Sequence, residues 1–149
     1  MSAPCGKVDV PRRHGRLNRE GLAMLTTIVD PVYPDAFGAL VAPLPADIAA
    51  LTARLVTLVG AHPGLSGKVM PGWQSVNFRH GVAGHVCAVF PHRDRVALYF
   101  EHGRLLDNSH GLLEGDGLKK GRYLRLAPDD DIPVDMIGIL LSEAIALSA

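Results

Sequence analysis

Cysteine is scarce in this chain: Cys5 and Cys87 are the only two among 149 residues, and they fall in neither metal-ligand nor redox spacing. That sets aside a disulfide framework and suggests a reducing compartment. An excess of either charge is also missing, since Lys plus Arg and Asp plus Glu number 15 each. A nucleic-acid binder is expected to show a basic surplus, so nucleic acid is not an expected partner. No apolar run approaches the length of a membrane span, and a membrane partner is not expected either. Met1–Gly21 carries Arg12, Arg13, His14, Arg16 and Arg19 but no apolar segment of signal-peptide type, which makes a cytoplasmic location the expectation.

Several catalytic templates are absent as well. His62-Pro63-Gly64-Leu65-Ser66-Gly67-Lys68-Val69 has the Gly-Lys of a P-loop. It lacks glycine at His62 and a hydroxyl at Val69, where the phosphate turn and the magnesium ligand belong. Asp107-Asn108-Ser109-His110-Gly111 fails as a nucleophile elbow because Asp107 replaces the first glycine. No His-Glu-x-x-His, Cys-x-x-Cys or Gly-x-Gly-x-x-Gly occurs.

What remains is a chain 48% hydrophobic and 20% charged, the balance of a compact domain that needs no disulfide or metal staple. Residues 1–44 read as a basic flexible arm followed by a proline-rich lead-in, with an apolar run at Leu22–Val29 and with Tyr33, Phe37 and Leu40 available to dock. Residues 45–149 read as the domain itself. Pro45 and Asp47 open a helix whose stripe is Ile48, Leu51, Leu55, Leu58 and Val59, closed by Gly60, Pro63 and Gly64.

Four strands follow: one after Trp73, over Gln74–His80, then His85–Phe90, Arg95–Glu101 and Arg122–Leu126. Gly81-Val82-Ala83-Gly84 and Pro91-His92-Arg93-Asp94 supply turns between the first three. Asp129-Asp130-Asp131 precedes a last helix with the stripe Val134, Ile137, Leu140, Leu141, Ala144 and Ile145, one aspartate serving as its cap. The predicted fold is α+β, a mainly antiparallel four- to five-stranded sheet with N- and C-terminal helices packed on one face.

Trp73 and its strand, Val96-Ala97-Leu98-Tyr99-Phe100, Gly111-Leu112-Leu113-Glu114-Gly115 and Arg122-Tyr123-Leu124-Arg125-Leu126 together resemble the YdhG-like family, domain of unknown function 1801, over residues 45–147. The resemblance implies a small cytoplasmic α+β domain and brings no catalytic signature. A frataxin-like iron-chaperone role has been attached to that family, which makes iron the alternative to having no cofactor.

The side chains that could carry chemistry each have a plain structural reading beside the functional one. His80, His85, His92, His102 and His110 fall mostly at strand ends and turns, where they scatter, and His80 and His85 are the pair expected to meet across their hairpin. Asp130, Asp131 and Asp135 form the candidate hard-cation site, against simple helix capping. Cys87 reads as a buried apolar residue; on a regular strand it shares a face with His85 at ~7 Å, too far for activation.

The sheet face opposite the helices is assigned Asn77, Arg79, His85, Cys87, Tyr99, Tyr123 and Arg125, of which Arg79, His85, Tyr99, Tyr123 and Arg125 are the candidate ligand-binding residues. Glu114 could join them or simply hold its turn. Aromatic rings with arginines suit a small anionic ligand or a protein partner, a second copy of the chain included. The competing reading has the N-terminal segment, with Tyr33 and Phe37, covering this face. The expected role is a small-ligand or protein-interaction module, not an enzyme, with a metal chaperone as the alternative.

Overall fold

The computed structural model describes residues 35–148. The expected arm at 1–20, the run Leu22–Val29, Tyr33 and Cys5 lie outside the described residues.

The described chain opens with a helix not foreseen in the proline-rich lead-in: α1, Ala36–Val41. Phe37 and Val41 drive it into the core, with Phe37 fully buried. The core therefore begins before the boundary expected at residue 45. α2, Ala46–Gly60, follows Pro45, whose φ of −55° and ψ of 149° make it the residue before the first turn. Asp47 holds that turn, its Oδ1 accepting the Ile48 N–H at 2.8 Å. Ile48, Leu51, Leu55, Val56 and Val59 are buried at helical spacing. Thr52, also buried, is satisfied by donating to the Ile48 carbonyl at 2.7 Å.

Five strands come next: β1, Leu65–Met70; β2, Ser75–His80; β3, Gly84–Pro91; β4, Val96–Phe100; and β5, Arg122–Leu126. They pair antiparallel in chain order. The first strand takes up most of the stretch weighed above as a phosphate loop; Leu65 and Val69 point into the core. Trp73 does not open a strand. It sits 66% exposed at the end of the 3-10 turn Pro71–Trp73, which reverses the chain through Gln74 at φ 54°. Between β4 and β5, residues 101–121 form a long loop anchored by buried Leu106 and Leu113 and by an antiparallel bridge from Glu114 to Tyr123.

α3, Val134–Ser148, closes the domain with Ile137, Leu140, Leu141 and Ala144 buried. It and α2 both pack against β3, so the two long helices cover the same sheet face. Against them stand Val69, Val76, Phe78, Cys87, Val89, Val96, Leu98, Phe100, Leu124 and Leu126. Of the aspartates before α3, Asp130 serves the preceding turn. Asp130 closes the β5–α3 turn, its Oδ2 accepting the Ala127 N–H at 2.8 Å and its own N–H donating to the Ala127 carbonyl at 3.0 Å. No helix among the described residues is long and apolar enough to cross a membrane.

Candidate functional site

The second sheet face is set by one irregularity. Phe78 pairs with Cys87 and Arg79 with His85, so Val86 is an extra residue in β3. A bulge of this kind inverts the alternation on either side of it. His85 therefore stays beside Arg79 on the open face while Cys87 turns into the core opposite Phe100, contrary to the expectation that the two share a face. Buried completely, the Cys87 thiol is pushed far above its ordinary pKa by desolvation, which leaves it without nucleophilic character. The expected meeting of His80 and His85 fails because they are not partners: His85 pairs with Arg79, and His80, one residue on and opposite Gly84, takes the other face. His80 pairs with Leu65 on the core side, and its Nδ1 accepts the N–H groups of Val82 and Ala83, both at 3.1 Å, to hold the hairpin turn.

With parity settled, pairing arranges the open face in three rows. Ser66, Arg79, His85 and Glu101 form one; Lys68, Asn77, Ala88, Tyr99, Tyr123 and Glu114 the next; Met70, Ser75, Phe90, Ala97 and Arg125 the last. The centre is aromatic. Phe90 and Tyr99 meet edge to face, centroids 6.2 Å apart and planes at 89°, and Tyr123 stands directly across from Tyr99. Gly121 lets the Tyr99 hydroxyl end lie against the start of β5, because a Cβ there would run into the phenol.

The charges divide between two corners. At one, His85 Nε2 lies 3.7 Å from Glu101 Oε1 with Arg79 exposed beside it. Burial holds the His85 pKa below its usual value, Glu101 opposes that shift, and Arg79 and His102 add to it. The imidazole is thus neutral at pH 7, and the 3.7 Å approach is not a full ion pair there. Tyr99, its pKa raised by burial and by Glu101, stays a phenol and a hydrogen-bond donor. At the other corner Arg125 pairs with Glu114 at 3.2 Å, and Glu114 is fixed by backbone bonds with Tyr123 in both directions. That gives Glu114 the turn-stabilising role, with its carboxylate still on the face.

All five expected binding residues, Arg79, His85, Tyr99, Tyr123 and Arg125, therefore share this face, but they do not converge on one spot. Arg79 and Arg125 sit three strands and four residues apart, a diagonal of roughly 20 Å at usual sheet spacings. Phe90 and Glu101 belong to the same surface. Phe90 was hidden inside an unbroken apolar run, whereas Glu101 shares the alternation of Tyr99 and was legible. The aspartates are not gathered comparably. Asp130 is engaged in its turn, Asp135 lies in the first turn of α3, and no three His, Cys, Asp or Glu side chains among the described residues converge on a metal position.

Comparison with family models, with curated proteins and with solved structures finds no match to this chain. The reading of the site therefore rests on its own geometry.

Proposed function

We propose that this domain is a protein-interaction module whose open sheet face takes its partner on Phe90, Tyr99 and Tyr123, with Arg79 and Arg125 at opposite corners. The observation that carries the reading is the composition of that face: clustered, half-buried rings framed by exposed arginines, on a sheet whose two long helices lie on the other side. Aromatic residues and arginine are the types enriched where proteins bind each other. The ~20 Å diagonal between the arginines exceeds the footprint of one small ligand and fits a protein surface.

Affinity capture from cell extract tests this, with bound proteins quantified for wild type, Arg79→Ala, Arg125→Ala and Tyr123→Ala. A partner held stoichiometrically by wild type is expected to be lost from Tyr123→Ala and weakened in both arginine variants, each retaining the wild-type circular dichroism spectrum. Equal capture by all four proteins would place the partner elsewhere. A small extra mass in native mass spectrometry, lost with Arg79→Ala and kept in Arg125→Ala, would replace the protein partner with a small ligand at the His85 corner.

A further inference from the structure

The middle row of the open face has six positions, each one strand spacing from the next: Lys68, Asn77, Ala88, Tyr99, Tyr123 and, through its bridge to Tyr123, Glu114. It begins on a cation, passes through small side chains to rings, and ends on an anion. The row beside it has the same polarity, with exposed Arg79 on β2 and Glu101 next to β4. In the third row Phe90 stands beside Ala97. Rows of this kind are complementary to their own reversal. A two-fold axis lying between two stacked sheets, parallel to the strands and passing between β3 and β4, performs that reversal. Lys68 then faces the partner's Glu114, Asn77 the partner's Tyr123, Tyr99 the partner's Ala88, and Phe90 the partner's Ala97. Glu101 comes opposite the partner's His85, one strand from the partner's Arg79. Arg125, held by Glu114 of its own chain at 3.2 Å, falls over the partner's Ser75. Rings meet methyl groups and no two like charges face each other. An axis running across the strands along the middle row would instead set Lys68 on the partner's Lys68 and Glu114 on the partner's Glu114, which repulsion disfavours. The strand-parallel axis also gives near-aligned sheets, the usual way for two sheets to pack ~10 Å apart.

We infer that the partner on the open face is a second copy of this chain, the two sheets stacking about that axis with Lys68 paired to the partner's Glu114 at both ends of the middle row. This rests on the reading of the face as a protein-binding surface and names what binds there.

Sedimentation equilibrium of the purified full chain tests the inference. Wild type is expected at twice the chain mass, and Lys68→Glu and Glu114→Lys should each raise the dimer Kd by about tenfold or more, because like charges then face each other at both ends of the row. An equal mixture of the two variants should recover the wild-type Kd. Its mixed dimer sets Glu on Lys at one end and Lys on Glu at the other. A monomeric wild type would overturn the inference, and the reading of the face would still stand if Tyr123→Ala lost a different protein captured from extract. A dimer indifferent to Lys68→Glu and to Tyr123→Ala would place the self-contact elsewhere and overturn it too. Should Glu114→Lys fail to fold, carbodiimide cross-linking of mixed isotope-labelled and unlabelled wild type decides. Within one chain Lys68 and Glu114 lie five strand spacings apart, ~24 Å, too far for a direct amide. A Lys68–Glu114 linkage joining labelled to unlabelled copies is expected, and its absence from a digest that reports other linkages between copies would refute the arrangement.

Discussion

Replacing Cys87 by serine tests the bulge that sets the whole face. In the structure this side chain is 0% exposed and lies between Phe78 and Phe100 on the core side of the sheet. Serine keeps the volume nearly unchanged but installs a hydroxyl among apolar neighbours. Burying such a group without a good partner costs ~1–3 kcal/mol in proteins. For a domain of this size, 2 kcal/mol lowers Tm by roughly 4–8 °C. The assay is urea denaturation followed by circular dichroism in a Cys5→Ser background, together with thiol labelling of the native protein at Cys87. The expected result is a clear loss of stability and a thiol that labels only on unfolding. Were β3 regular, Cys87 would lie beside His85 on the open face, serine would change stability by less than ~0.5 kcal/mol, and the native thiol would react. That pair of results would refute the bulge and the three-row description built on it. A pH experiment adds an independent sign. The folded thiol has its pKa raised above the ordinary 9.0, so its contribution is fully present below pH 9 and is lost as the unfolded chain ionises above it. The wild-type minus Cys87→Ala stability difference should fall by about 1.4 kcal/mol per pH unit there.

Other consequences of the geometry are open to direct measurement. His85 is expected to titrate below 6.5 by proton NMR; Glu101→Gln should lower its pKa further and Arg79→Ala should raise it. Because the folded pKa is depressed, the unfolded chain binds the proton first, and stability should decline as pH falls through 6.5 and level off below the folded value. Gly103→Ala should unfold or severely destabilise the domain, since its Cβ would meet the Arg122 backbone. Gly121→Ala should be milder, because the atoms in its way are the movable Tyr99 phenol, and it should perturb the open face selectively. Phe37→Ala should cost ~3–5 kcal/mol in denaturation if α1 belongs to the core, and nearly nothing if it is a loose lead-in.

The α+β fold was legible where apolar residues recur with a clear period. Ile48, Leu51, Leu55 and Val59 mark α2, and Val96, Leu98 and Phe100 mark β4, since burial of one face writes itself into the alternation. The two elements that escaped have weak signals for identifiable reasons. β1 places Gly67 on the core side opposite Phe78, so its apolar alternation has a gap, and Gly64 before it and Lys68 within it lend it the look of a loop. α1 is six residues long between prolines, too short for a helical period to show, and only the burial of Phe37 and Val41 reveals it.

The site was legible in its members more than in its layout. Arg79, Tyr99, Tyr123 and Arg125 follow from simple alternation, because strands β2, β4 and β5 keep one parity from end to end. β3 breaks parity inside Val86-Cys87-Ala88-Val89, where every residue is apolar and buried, so no polar side chain marks the point of inversion. A single unpaired residue there exchanges Cys87 for Ala88 and adds Phe90 to the face. That exchange changes the chemistry. A cysteine beside a histidine invites a nucleophile, whereas a small methyl between Asn77 and Tyr99, with Phe90 against Tyr99, makes a continuous contact surface. Restoring regular pairing would recreate the Cys87–His85 neighbourhood and divide the aromatic cluster. The same bulge buries Cys87 and joins the rings, so protection of the native thiol and partner capture through Tyr123 should stand or fall together.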